Sequence, residues 1–216
     1  KGYRLLIRGD RSIPLLNNAV PTPTTLRTSG TLATGTQNIN NLSTLSNGYS
    51  LFGNPYQAPI NMLQTLNTAS ANVDNTAFYV WDPLMNVRGA YVTVQLDYLL
   101  NSSDNSNLDS AANEFFQPGQ AVFLKTTTDG PASISIQENH KNVTQGINQL
   151  FRQNAIQSNS STSKLRVQLY DSNTLSLGGT SRDGLLLKFN ASFNPAVVQG
   201  EDATKFSNAD EDIAVK

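Results

Sequence analysis

From Ala90 to Tyr98 the chain reads AYVTVQLDY, and apolar and polar residues alternate without a break. Ala90, Val92, Val94, Leu96 and Tyr98 fall on one side of an extended chain, and Tyr91, Thr93, Gln95 and Asp97 on the other. A period of two over this length predicts a half-buried antiparallel strand. The same alternation runs through LRVQLY (165–170), ASISIQ (Ile134, Ile136) and GLLLKF (Leu185, Leu187, Phe189), and through Tyr3, Leu5 and Ile7 near the N-terminus. Three shorter runs, YSLF (49–52), FYVW (78–81) and AVFLK (121–125), are apolar on both sides and predict strands covered on both faces.

Turn chemistry separates these strands. Gly53-Asn54-Pro55, Asp82-Pro83, Gln117-Pro118-Gly119, Asp129-Gly130-Pro131 and Gly178-Gly179 each place a preset or permissive φ where the chain must reverse. Helical spacing appears only in two short pieces, INMLQTL (60–66) and QGINQLFR (145–152). Segments 17–47 and 99–113 are rich in Asn, Ser and Thr and read as long loops. The pattern predicts one all-β unit over residues 1–216, an antiparallel β-sandwich of jelly-roll or Greek-key type with long polar loops.

Composition narrows the setting. Asp, Glu, Lys and Arg make up only 14% of the chain, whereas Asn occurs 25 times. Neutral hydrogen-bonding groups must therefore wet most of the surface. A net charge of −1 without a basic cluster provides no electrostatic footprint for nucleic acid. No apolar run is long enough to span a bilayer as a helix. With no Cys, disulfides, thiolate metal sites and Cys nucleophiles are excluded. Low charge with many amides fits an exposed bacterial surface protein better than a cytosolic enzyme.

Candidate chemistry is sparse. His140 is the only histidine, and no G-x-S-x-G elbow accompanies it, so a solvated loop position is the simpler reading than a general base. Zinc would need ligands that one His and no Cys do not supply. Calcium asks only for oxygens, and Asp104 with Asp109, and Asp210 with Asp212, are the candidates, although neither pair follows EF-hand spacing. Asp74, Asp82, Asp97 and Glu114 lie near aromatic residues and are the candidates for paired carboxylates. Tyr79, Trp81 and Tyr91 are candidates for a sugar-stacking platform, and core or cross-strand packing is the commoner use of aromatics at alternating strand positions. Arg8-Gly9-Asp10 spells an integrin-type tripeptide, but it straddles the predicted end of the first strand and reads as coincidence.

One longer segment, GYSLFGNPYQAPI (48–60), resembles the G-W-N-L-I-G-N-P-Y-P-S-P-I element of large surface proteins of Bacteroidota exported by the type IX secretion system. In the same order, FYVWDP (78–83), FFQPGQAVFLKT (115–126) and LLLKFN followed by Glu201-Asp202-Ala203-Thr204-Lys205-Phe206 are similar to further elements of that family, as is the opening GYRLLIRGDRS. Tyr49 and Gln57 depart from the family's usual Trp and Pro. Asn54-Pro55-Tyr56 is a scaffold signature, since the residue before Pro is pushed extended and Gly53 permits a sharp exit from the strand.

The resemblance implies an extracellular β-sandwich at the outer surface of a Gram-negative bacterium. It implies a structural or adhesive role, contacts with other surface proteins or glycans, and recognition by the export machinery through a sorting domain outside this chain. It brings no catalytic residue and no cofactor. The expectation is thus a non-enzymatic surface module, with a carbohydrate-binding accessory domain of a secreted hydrolase as the alternative. Because Asp212-Ile213-Ala214-Val215-Lys216 reads as the start of a further strand, the chain is also expected to be a segment of a larger polypeptide.

Overall fold

A computed structural model describes residues 2, 25, 27, 29–86, 89–99, 101–142, 163–198, 201–208 and 212–214. Its centre is a five-stranded antiparallel sheet built from β2 (Tyr49–Gly53), β5 (Ala77–Asp82), β6 (Ala90–Asp97), β7 (Ser102–Asn105) and β9 (Ala121–Lys125). The spatial order is β2-β9-β5-β6-β7. Val80 sits at the crossing of the registers, opposite Val92 on one side and Val122 on the other.

One face of this sheet carries Phe52, Phe78, Val80, Val92, Val94, Leu96, Val122 and Leu124, all buried. Against it lies a second layer of small elements. β1 (Gln37–Ile39), β10 (Ser133–Ile136) and β4 (Ser70–Ala71) form a three-stranded sheet, while β3 (Ile60–Asn61) pairs with β8 (Phe115–Phe116). Between them runs α1 (Met62–Thr68), whose first turn is capped by Asn61 accepting from Gln64 N at 3.1 Å. Its Met62, Leu63 and Leu66 join Ile60, Phe116, Ile134 and Ile136 in the core. All pairings are antiparallel, and the molecule is an all-β sandwich.

The segment GNPY is the hinge of the first sheet edge. Asn54 Oδ1 accepts from Tyr56 N at 2.8 Å, and its amide donates to Ala58 O and Phe116 O. Tyr56 is then buried, with its hydroxyl directed at Gly35 O (2.5 Å) and Ile136 O (3.0 Å).

Ten of the Asn and Asp residues share a task. At Asn54, Asp74, Asp82, Asp97, Asn105, Asn107, Asn113, Asp171, Asn190 and Asn194, the side chain accepts from the backbone N–H two residues on. These Asx turns fix loops without a core beneath them. The expected long loop over 99–113 is accordingly shorter than read, since it contains β7 and is braced by Asn105 and Asn107.

A two-stranded ribbon, β11 (Ser163–Leu169) with β12 (Asp183–Phe189), completes the described elements, together with the single-turn α2 (Ser172–Ser176). The alternation in the ribbon is as expected, but its faces are not disposed as alternation suggests. Its polar residues Lys164, Arg166, Gln168 and Lys188 turn toward β7 and the loop after it, while Leu165 and Phe189 are 49% and 54% exposed. A buried carboxylate on the sheet outweighs the apolar preference of the ribbon. Gly184 permits the close approach, because a Cβ there would collide with Ser106 O and lie 3.0 Å from Asn107 Cα. Two further expectations need correcting or restricting. Asp212–Ala214 is not a strand, its side chains and backbone serving contacts described below. The helical spacing at 145–152 and the Arg8-Gly9-Asp10 tripeptide lie outside the described residues.

Candidate functional site

The face of the five-stranded sheet away from the core presents Tyr49, Tyr79, Trp81, Tyr91, Phe123 and Lys125, since each occupies the odd phase of its strand. Alternation puts Tyr79 and Trp81 on one face of β5, and the register with β6 brings Tyr91 to the same face. Trp81 and Tyr91 are directly opposite in the ladder, with rings 4.7 Å apart at 70°. Trp81 lies over Gly89, which takes φ +82°, and a Cβ at Gly89 would sit 2.6 Å from the indole. Tyr79 packs edge-on to Tyr49 at 5.4 Å and is fully buried. Burial pushes its phenol far above the usual range.

What buries Tyr79 is a segment remote in sequence. Phe206 lies 5.0 Å from Phe123 in a stacked arrangement, 4.4 Å from Tyr91, 4.9 Å from Tyr49 and 5.7 Å from Tyr79. Polar tethers flank it. The Lys125 ammonium, on a residue only 6% exposed, donates to Thr204 Oγ1 at 2.7 Å. Asn208 Oδ1 accepts from Tyr91 N at 2.5 Å, on the part of β6 that extends beyond its pairing with β7. Asn208 Nδ2 donates to Asp183, a buried carboxylate that also accepts from Gly184 N, Ile213 N and the Lys205 ammonium. Lys205 in turn pairs with Asp212.

A second polar cluster pins the ribbon. Asp104 on β7 receives Lys188 at 2.8 Å, Lys164 at 2.9 Å and Arg166 at 3.2 Å, and its side chain is 9% exposed. Burial opposes ionisation of Asp104, but the hydrogen bonds and charges of Lys188 and Lys164 hold its carboxyl below the usual range. Elsewhere among the described residues the ion pairs have at least one carboxylate per cation, as in Lys141–Glu138 and Arg182–Asp171. Here three cations share one carboxylate.

The other candidates are distributed through the scaffold. Asp109 is 5 residues from Asp104 in sequence but faces different groups, accepting from Gln168 Nε2, Tyr170 OH and Ser181 N. Asp212 belongs to the Phe206 segment, and Asp210 lies outside the described residues. Asp82 accepts from Leu84 N and Ser110 Oγ, and burial raises its pKa. Asp74 holds Thr76, Glu114 accepts from Ser103 Oγ, and Asp97 accepts from Leu99 N. His140 is buried rather than solvated. Its Nδ1 accepts from Gln137 N at 3.2 Å, which leaves Nε2–H to face Thr68 Oγ1 at 3.4 Å, and burial lowers its pKa. Among the described residues no three His, Asp or Glu side chains converge as metal ligands.

Sequence reasoning missed Phe206, Thr204 and Asn208 as parts of the aromatic face. Their alternation in T-K-F-S-N was a signal, but no local rule assigns that short run to this sheet. The chain matches no protein-family model, no curated protein and no solved structure.

Proposed function

We propose that this chain is a non-enzymatic structural or adhesive module, displayed at the outer surface of a Gram-negative bacterium. One observation carries the reading. The segments on which the family resemblance rests are scattered over more than 150 residues, yet they meet in space. Tyr49 of GYSLFGNPYQAPI, Tyr79 of FYVWDP, Phe123 of FFQPGQAVFLKT and Phe206 of EDATKF form one aromatic cluster. Residues that recur as a motif in order to pack together serve a scaffold. In the same spirit, His140, Asp82 and Glu114 are engaged in bonds that hold loops and turns. The module's contacts are other surface proteins or glycans.

Protease shaving and antibody labelling of intact source cells test the reading. The chain should be reached from outside, and disabling the export system should abolish that access. Recovery from the cytosol alone would overturn it. Hydrolysis of a glycoside panel that disappears on replacing a single carboxylate, Asp82 or Glu114, would overturn the non-enzymatic part.

A carbohydrate-binding accessory domain is the second reading, favoured by the Trp81–Tyr91 pair, which keeps partial exposure beside Phe206. Glycan binding lost in Trp81→Ala with the fold retained would support it.

A further inference from the structure

The segment Thr204–Asn208 lies on the aromatic face as a ligand would. Alternate residues point down: Thr204 to Lys125, Phe206 into the ring of Tyr49, Tyr79, Tyr91 and Phe123, and Asn208 to Tyr91 N. Lys205, between them, reaches Asp183. Each of these side chains has a specific partner: a hydroxyl for a buried ammonium, an ammonium for a buried carboxylate, an aromatic ring for an aromatic box, and an amide for the backbone N–H of Tyr91.

On the path to the segment, residues 190–197 all lie open to solvent after β12, with Asx turns at Asn190 and Asn194, and Asn194 N and Val198 N donate to Glu201 and Asp202. The contacts of Thr204–Asn208 with the aromatic face are made by residues 204–208 themselves, so a segment supplied by another chain can make them.

We propose that the aromatic face is a segment-binding site whose ligand is the Thr204–Asn208 segment, and that it takes this segment from a second copy of the chain as well as from its own. Exchange keeps every contact and adds only the cost of opening and of association. The inference deepens the adhesive reading by giving modules a means of joining, and rests on that reading only for its biological setting. The test is made on purified protein, so its failure and a failure of surface display are separate results.

The probe is a fluorescein-labelled synthetic peptide of residues 201–214, followed by anisotropy. It should bind full-length Phe206→Ala about ten-fold or more tightly than the wild-type chain, whose own segment competes. On binding, the emission of Trp81, the single tryptophan, should return to its wild-type value. A peptide carrying Phe206→Ala should not bind, and Asp183→Asn in the receptor should weaken the intact peptide. Mixed with a differently tagged wild-type chain, Phe206→Ala should yield a mixed dimer on size exclusion. If Phe206→Ala fails to fold, Asn208→Ala, which leaves the ring in place and loosens the segment, serves as receptor. The proposal is overturned if neither receptor binds the peptide, or if the peptide's Phe206→Ala change has no effect. Binding of a neutral oligosaccharide to the opened face with no binding of the peptide would also overturn it, and would assign the face to glycans.

Discussion

Replacing Asp104 by Asn should loosen the ribbon from the sheet. Lys164 and Lys188 are opposite each other in the ladder and share the same carboxylate oxygen, at 2.9 and 2.8 Å. Their nitrogens are therefore no more than about 6 Å apart, a repulsion of roughly 3 kcal/mol at an effective dielectric of 20. Among the described residues, Asp104 is the carboxylate that offsets it. Removing one member of a buried ion cluster costs about 3–5 kcal/mol, and the low end applies because the cations keep 11–21% exposure. A loss of about 3 kcal/mol corresponds to roughly 6–12 °C in Tm for a chain of this size. Lys188→Met, by contrast, removes one attraction and two repulsions and should stay within about 1 kcal/mol of wild type. In that background Asp104→Asn should cost about half as much. Urea melts give the free energies, and hydrogen exchange across 163–169 and 183–189 shows whether the ribbon opens first. The carboxyl of Asp104 ionises more readily folded than unfolded, so its stabilisation is present above the unfolded pKa of about 4 and is lost as pH falls below it. A cost for Asp104→Asn under about 1 kcal/mol, or one unchanged in Lys188→Met, would refute the reasoning.

Tyr56→Phe removes the hydroxyl that sits between the carbonyls of Gly35 and Ile136, loses one hydrogen bond, and should cost about 1 kcal/mol in a urea melt. Gly89→Ala meets both a positive φ and the Trp81 indole, so a loss of at least about 1 kcal/mol should come with a change in tryptophan emission. Burial holds His140 below its unfolded pKa of about 6.5, so the unfolded chain binds the extra proton. Stability should decline as pH falls below about 6.5, and His140→Gln should remove that part of the slope in Tm against pH.

Period-two alternation located β6, β10 and the ribbon strands, and short apolar runs located β2, β5 and β9, because each carries apolar groups that must leave water, and that demand is local. Alternation puts Tyr79 and Trp81 on one face of β5, and the register with β6 brings Tyr91 to it. The strand β7, Ser-Ser-Asp-Asn, carried no such signal, since it pairs through its backbone and holds Asp104 for a ribbon about 60 residues away. Nor did alternation decide which side of the ribbon would face inward. That depended on a carboxylate elsewhere in the fold, whose burial is tolerable only beside cations. His140, polar by its neighbours, became buried because the turn Glu138–His140 folds its ring toward α1. The aromatics Tyr79, Trp81 and Tyr91 were candidates for a sugar platform in the sequence, with packing the commoner use, and in the structure Phe206 packs against Tyr79 and Tyr91 while Trp81 and Tyr91 stay partly exposed. Composition announced many Asn residues as wetting groups, and six of the 25 also spend a side-chain oxygen on the backbone N–H two residues on. Local pattern determines where a chain extends and turns, because pleat and φ are properties of neighbours. Which faces are covered, and by what, is decided by contacts between residues remote in sequence, from about 60 positions apart upward, whose energy exists only once the sheet has formed.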